Sequence, residues 1–145
     1  MAVITELRVR YGETDQMGVV YYGAYLDWFT EGRTDVLRRN GLSYRQWEER
    51  GVFLPVIEVG CRYLRPARYD DLLKVETRIS ELTPVQIRFD YRLGLDRDRL
   101  LAEGFTRHAF VGRDGKAMNL RKRHTDIWEW LISKAEEDLG AIAYG

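Results

Sequence analysis

The spacing of apolar positions changes along the chain, and each change predicts an element. Residues 4–11 alternate: Leu7, Val9 and Tyr11 share one side, and Glu6, Arg8 and Arg10 the other. That pattern predicts a half-buried strand. A loop over 12–22 follows. From Gly23 to Asn40 the apolar residues recur at three- and four-residue intervals, through Tyr25, Trp28, Phe29, Gly32 and Val36, with Leu26 and Leu37 widening the stripe. This predicts an amphipathic helix of about five turns. Gly41 suits the position just past its end. Ser43 and Gln46 form a capping box for a short helix through Arg50, which Gly51 stops.

Beyond Gly51 the period becomes two. Phe53, Ile57, Val59, Cys61 and Tyr63 share a parity and are expected on a buried face. Leu73, Val75, Thr77 and Ile79 do the same, and then Val85, Ile87, Phe89, Tyr91, Leu93 and Leu95. Turn sequences separate these runs: RPARYDD at 65–71, Thr83-Pro84, DRD at 96–98 and RDGK at 113–116. A less regular strand is expected over 100–112 and a short one over 117–121. From Thr125, the residues Ile127, Trp128, Leu131, Ile132 and Ala135 form a helical stripe, read as a tail packing on the surface or on a partner. Trp128, Trp130 and Leu131 are expected as surface apolars. The whole, residues 1–145, reads as one α+β domain with a helical tail over about 121–145. Several twisted antiparallel strands need an apolar element on one face, and the long helix is the large candidate. The sheet should curl around it. Its edge strands would stay open unless a second sheet pairs with them.

Composition narrows the function. At 145 residues the chain can bury a sizeable core. Lys+Arg and Asp+Glu are equal at 23 each, so no overall basic field attracts nucleic acid. No apolar segment reaches the roughly 20 residues of a membrane span. Cys61, the one cysteine, makes neither an intrachain disulfide nor a cysteine-rich metal site. A reducing, cytoplasmic location is the natural reading.

The segment VRYGETDQMGVVYYGAY, from Val9 to Tyr25, sets two acids, Glu13 and Asp15, in a stretch otherwise fit for burial. Taken alone, Asp15 reads as a turn residue accepting backbone N–H bonds. Glu13 reads as a structural or solvated acid. Cys61 is expected as a small core residue, His108 as a strand residue with a satisfied ring, and His124 as part of a helix start.

Taken together, Tyr11, Thr14-Asp15, Gly18, Val19-Val20, Tyr21-Tyr22 and Tyr25 resemble the opening motif of the hot-dog-fold acyl-CoA thioesterases, of the 4-hydroxybenzoyl-CoA and Tol-Pal-associated type. FLPVIEVGCRYLRPARYDDLLKVETRI resembles their second block, an apolar strand entering a Pro-Ala-x-x-Asp-Asp turn. The likeness spans roughly residues 5–120. The chain departs from it at Tyr22, where the Tol-Pal-associated branch often has His, and at Ala24, where many relatives have Asn.

The resemblance implies a curled antiparallel sheet around one long helix; the open sheet edges, the zero net charge and the apolar tail lead to the expectation of a homodimer or homotetramer with the active site at or near a subunit boundary. The resemblance also implies hydrolysis of an acyl-CoA to a carboxylic acid and free coenzyme A, with no cofactor and no metal. Asp15 would be the nucleophile or the general base, and the backbone N–H of Tyr22 would polarise the thioester carbonyl. Gly23 would let the backbone approach the substrate. Arg62, Arg65 and Arg68 have the bidentate geometry that suits the phosphates of coenzyme A, while any single one of them reads first as part of a solvated strand-and-turn face. A non-catalytic acyl-CoA or acyl-carrier-protein binding module is the rival on the same fold. A dehydratase ranks last, because neither His108 nor His124 lies near the helix start.

Overall fold

The computed structural model describes residues 2–39 and 41–139. In chain order they form β1 (Val3–Arg8), a 3-10 turn (Tyr11–Glu13), α1 (Ala24–Arg38), α2 (Tyr44–Glu49), β2 (Val56–Tyr63), β3 (Leu72–Leu82), β4 (Gln86–Gly94), β5 (Leu100–Ala109), α3 (Leu120–Arg123) and α4 (Thr125–Leu139). The five strands make one antiparallel sheet in the order β1-β3-β4-β5-β2.

α1 lies across β1, β3 and β4. Tyr25, Trp28, Phe29, Gly32 and Val36 face the sheet and are buried, as their spacing predicts. The Phe29 ring stacks on Tyr91 of β4 at 4.4 Å between centroids. Gly32 sits in the middle of the helix because a side chain there would strike Thr77 and Val75 of β3. The helix has 15 residues, about four turns rather than five. Asn40, its expected end, lies outside the described residues. The predicted capping box of α2 is present: Ser43 Oγ accepts from the N–H of Gln46 at 3.2 Å, and Gln46 Oε1 accepts from the N–H of Ser43 at 2.8 Å.

Other expectations need correction. β1 stops at Arg8, and although Val9 stays buried, Tyr11 turns out to solvent. The chain bends there because the Glu13 carboxylate closes the 3-10 turn onto the N–H of Arg10 at 2.7 Å. β2 was expected to bury one face, yet Ile57, Val59 and Tyr63 are 49%, 47% and 45% exposed. β2 is an edge strand, beyond β5, while α1 packs mainly on β1, β3 and β4 and meets β2 only at its end, through Tyr25 and Tyr63. Cys61 is accordingly half-buried rather than a core residue. In place of a strand over 117–121 there is a single bridge from Ala117 to Val111, followed by α3.

The tail is no surface appendage. Ile127, Trp128, Leu131 and Ala135 of α4 are buried, so Trp128 and Leu131 are core rather than surface apolars, while Trp130 is half-buried. The helix packs on β3, where the ladder to β4 is irregular between Ile79 and Glu81. Asp138 Oδ2 accepts from the N–H of Ile79 at 2.9 Å, and its Oδ1 accepts from Lys134 Nζ at 2.7 Å. Part of the expected tail, residues 140–145, lies outside the described residues.

Candidate active site

Thr14 and Val20 bridge to one another, and between them the chain makes a tight hairpin. The N–H of Asp15 donates to Val19 O at 2.9 Å, and the N–H of Gly18 donates to Asp15 O at 3.0 Å. Gly18 has φ +77°, a left-handed conformation that glycine adopts without a Cβ clash. Asp15 is exposed at the mouth of this hairpin. One carboxylate oxygen, Oδ1, accepts from the N–H of Met17 at 2.8 Å. The other, Oδ2, has no partner among the described residues.

Glu13 lies on the inner side of the same loop. It is buried, and Oε2 accepts from the Trp28 indole N–H at 2.9 Å. Its backbone O accepts from the N–H of Tyr21 at 3.1 Å. Glu13 therefore bolts both arms of the loop to α1 and has both carboxylate oxygens engaged within the protein. The two acids of the opening segment divide cleanly, one structural and one free.

The second arm runs from Val20 through Tyr22 to α1. Among the described residues, no acceptor meets the N–H of Tyr22 or of Gly23. They lie at the entrance of α1, Gly23 as its N-cap and Tyr22 just before it, where the partial positive charge of the helix end is felt. The carbonyl of Tyr22 accepts from the Tyr63 hydroxyl at 2.9 Å. The space a side chain on Gly23 would need is taken by the Tyr21 ring, which a Cβ would meet at 2.7 Å. A cleft of about 320 Å³ opens here, lined by Val20, Tyr22, Tyr25, Tyr63 and Arg65 among others. Tyr25 is fixed in its wall: its hydroxyl accepts from the N–H of Ala67 at 3.1 Å, and its ring meets Tyr63 edge-on at 4.9 Å. Burial raises the pKa values of both phenols, that of Tyr63 to about 12 with the Cys61 thiol contributing next, so both stay protonated.

The three arginines do not converge. Arg65 lines the cleft. Arg68 is exposed in the following turn, where its N–H donates to Asp71 Oδ2 at 2.9 Å. Arg62 alternates to the opposite, charged face of the sheet, 4.0 Å from Glu103. That face holds a groove of about 950 Å³ in which Arg78 pairs with Glu76 and Arg88 with Asp90.

His108 is buried and far from free. A carbonyl only accepts, so Nδ1–H donates to Leu54 O at 2.9 Å, and Nε2 accepts from the Thr106 hydroxyl at 2.8 Å. Thr106 in turn accepts from Tyr91 at 2.6 Å. Burial lowers the imidazole pKa to about 4. It is a neutral strut, as the sequence suggested. His124 links α3 to α4, its carbonyl accepting from the N–H of Trp128 at 2.9 Å. Among the described residues, no three His, Cys, Asp or Glu side chains gather as a metal site, and no helix is long and apolar enough to cross a membrane.

A family model described as the thioesterase-like superfamily matches residues 9–135. The chain belongs to that superfamily. YneP of Bacillus subtilis, provisionally named an acyl-CoA thioesterase, is 32% identical over 133 residues, covering 91% of this chain and 96% of that protein. The acyl-CoA thioester hydrolase YbgC of Escherichia coli is 32% identical over 97 residues, 67% of this chain and 72% of YbgC. Among solved structures, the DHNA-CoA thioesterase of Staphylococcus aureus superposes with TM-score 0.87 at 30% identity, covering 99% of this chain and 97% of that one. The architecture is the hot-dog fold.

Tyr63 was placed by parity alone, and nothing in a strand pattern says that its hydroxyl reaches the start of α1.

Proposed function

We propose that Asp15 and the N-terminal end of α1 carry out thioester hydrolysis in this protein. The reaction is acyl-CoA hydrolysis, giving a carboxylic acid and free coenzyme A. The observation behind the site is the pairing on one hairpin of a carboxylate with an unengaged oxygen and helix-entrance amides with no acceptor. The amide of Tyr22 polarises the thioester carbonyl and stabilises the oxyanion that forms on it. Asp15 either adds to the carbonyl carbon, giving a mixed anhydride that water then cleaves, or takes the proton from an attacking water. In both routes the C–S bond breaks, coenzyme A leaves as a thiolate and the acyl group ends as a carboxylate. The acyl group occupies the tyrosine-lined cleft beside Gly23. Arg65 at its rim, with Arg68, meets the coenzyme A phosphates. Arg62 serves them only if the nucleotide crosses to the charged face.

The working unit is a homodimer or a homotetramer, joined through the open edge of β2. Half-exposed Ile57, Val59 and Tyr63 on an unpaired edge support that reading. The lone thiol, Cys61, favours the cytoplasm. All of residues 1–145 act as one domain.

The experiment is Asp15→Asn, assayed by free-thiol release across a panel of acyl-CoA esters. Removing general-base assistance costs about 10²–10⁴-fold, so kcat falls at least about a hundredfold while acyl-CoA binding and Tm stay near the parent's. A parent-like rate refutes the mechanism. If neither protein hydrolyses any ester but both bind acyl-CoA, the chain is a binding module.

A further inference from the structure

Tyr63 stands where the outermost strand passes the entrance of α1. Its hydroxyl donates to the carbonyl of Tyr22 at 2.9 Å, since a carbonyl only accepts. Its ring is held edge-on by Tyr25, and Tyr25 is pinned in turn by the N–H of Ala67. The acceptor carbonyl belongs to the peptide that joins Tyr22 to Gly23. In a trans peptide the C=O and N–H point in opposite directions, and no peptide bond among the described residues is cis. Drawing the carbonyl toward β2 therefore turns the Gly23 N–H away from β2. Polarising the carbonyl also makes that N–H a better donor. Among the described residues, the one competing bond to the same carbonyl, from the N–H of Tyr25, is long at 3.4 Å.

We infer that Tyr63 is a positioning residue for the thioesterase reaction: its hydroxyl fixes the Tyr22–Gly23 peptide so that the Gly23 amide, beside that of Tyr22, presents a second donor in a set geometry to the thioester oxygen. The inference rests on the proposed function for its kinetic consequence, although the hydrogen bond itself can be probed separately. Without the hydroxyl, the peptide can rock about its flanking bonds. The oxyanion would then meet donors that must reorganise during the reaction.

The test is Tyr63→Phe, which keeps the ring against Tyr25 and deletes only the donor. With an acyl-CoA that the parent hydrolyses, kcat falls about tenfold, the scale of one hydrogen bond, and KM stays within about twofold. Tm changes little, because the hydroxyl lies at a half-exposed site. Tyr69→Phe, at an exposed ring in the following turn, keeps the parent kinetics. Amide spectra give a readout independent of turnover. The Gly23 N–H resonance moves in Tyr63→Phe, while the amides of α4 do not. An unchanged kcat in an active enzyme, a rise in KM alone, or an unmoved Gly23 resonance overturns the role of Tyr63. A parent that cleaves no thioester, or an Asp15→Asn variant as fast as the parent, instead overturns the proposed function, and the Gly23 resonance still decides whether Tyr63 sets the peptide.

Discussion

Glu13→Gln tests the division of labour between the two acids of the candidate active-site loop. The carboxylate accepts two buried or half-buried N–H groups, the Trp28 indole on Oε2 at 2.9 Å and the Arg10 backbone on Oε1 at 2.7 Å. A glutamine has nearly the same shape but offers one oxygen and one NH₂. Whichever way the amide turns, one N–H must face another N–H. Leaving a buried donor unsatisfied costs about 1–3 kcal/mol. The Arg10 guanidinium, 3.6 Å away with a side chain 82% exposed, adds little, because ion pairs at the surface are weak. For a chain of this size each kcal/mol lowers Tm by roughly 2–4 °C, so a fall of several degrees is expected. Calorimetry at pH 7 measures it. Trp28→Phe removes one of the two donors, so adding Glu13→Gln to it should cost less than in the parent, a coupling visible in the double-mutant cycle. Below the transition, kcat should change far less than in Asp15→Asn. An unchanged Tm, or strict additivity with Trp28→Phe, refutes the assignment of Glu13 as the bolt between loop and helix.

His108 makes stability depend on pH. Its pKa is about 4 folded against 6.5 for the free side chain, so the neutral form is favoured by folding. The associated stability is intact above pH 6.5 and is lost as pH falls toward 4, amounting to about 3 kcal/mol. Urea midpoints should drop across that window, and His108→Gln should remove that part of the drop; an identical slope in both proteins counts against it. Val59→Lys should set a charge into the open β2 edge and leave a folded monomer by light scattering at micromolar concentration, because charged side chains block edge pairing. A Val59→Lys protein that keeps the parent's oligomeric mass removes β2 from the interface.

Local rules carried much of the fold. The three- and four-residue spacing from Tyr25 to Val36 identified the buried face of α1, and Ser43 with Gln46 located the start of α2, because both depend on neighbours within a turn. The errors arose where sheet order decides. Alternation in β2 is as regular as in β4, yet β4 is central and β2 is the edge, and nothing local distinguishes them. Trp128 and Leu131 looked like surface residues because the tail's docking on β3 depends on contacts distant in sequence, including Asp138 with Ile79. The loop motif brought Asp15, Tyr22 and Gly23 onto one hairpin, as expected from their proximity in sequence. The arginines fall apart for a local reason: Arg62 alternates against Tyr63 within β2, while Arg65 and Arg68 lie beyond the end of the strand.

Asp15 had two competing readings, turn residue and catalytic acid, and the geometry makes them compatible. The turn uses Oδ1, through the N–H of Met17, and leaves Oδ2 without a partner. A turn bond of this kind fixes the side-chain torsion, so the remaining oxygen is held in one direction rather than swept through solvent. Fixed orientation is what a nucleophile or base needs in order to act on a bound ester. An asparagine at this position still has an oxygen for the N–H of Met17, so the hairpin and the amides on its other arm should remain as they are. What it lacks is the charge on the second atom, replaced by an NH₂ that can neither attack a carbonyl effectively nor accept a proton from water. Asp15→Asn therefore separates the two roles: the oxygen that shapes the loop is kept, and the one assigned to the chemistry is lost.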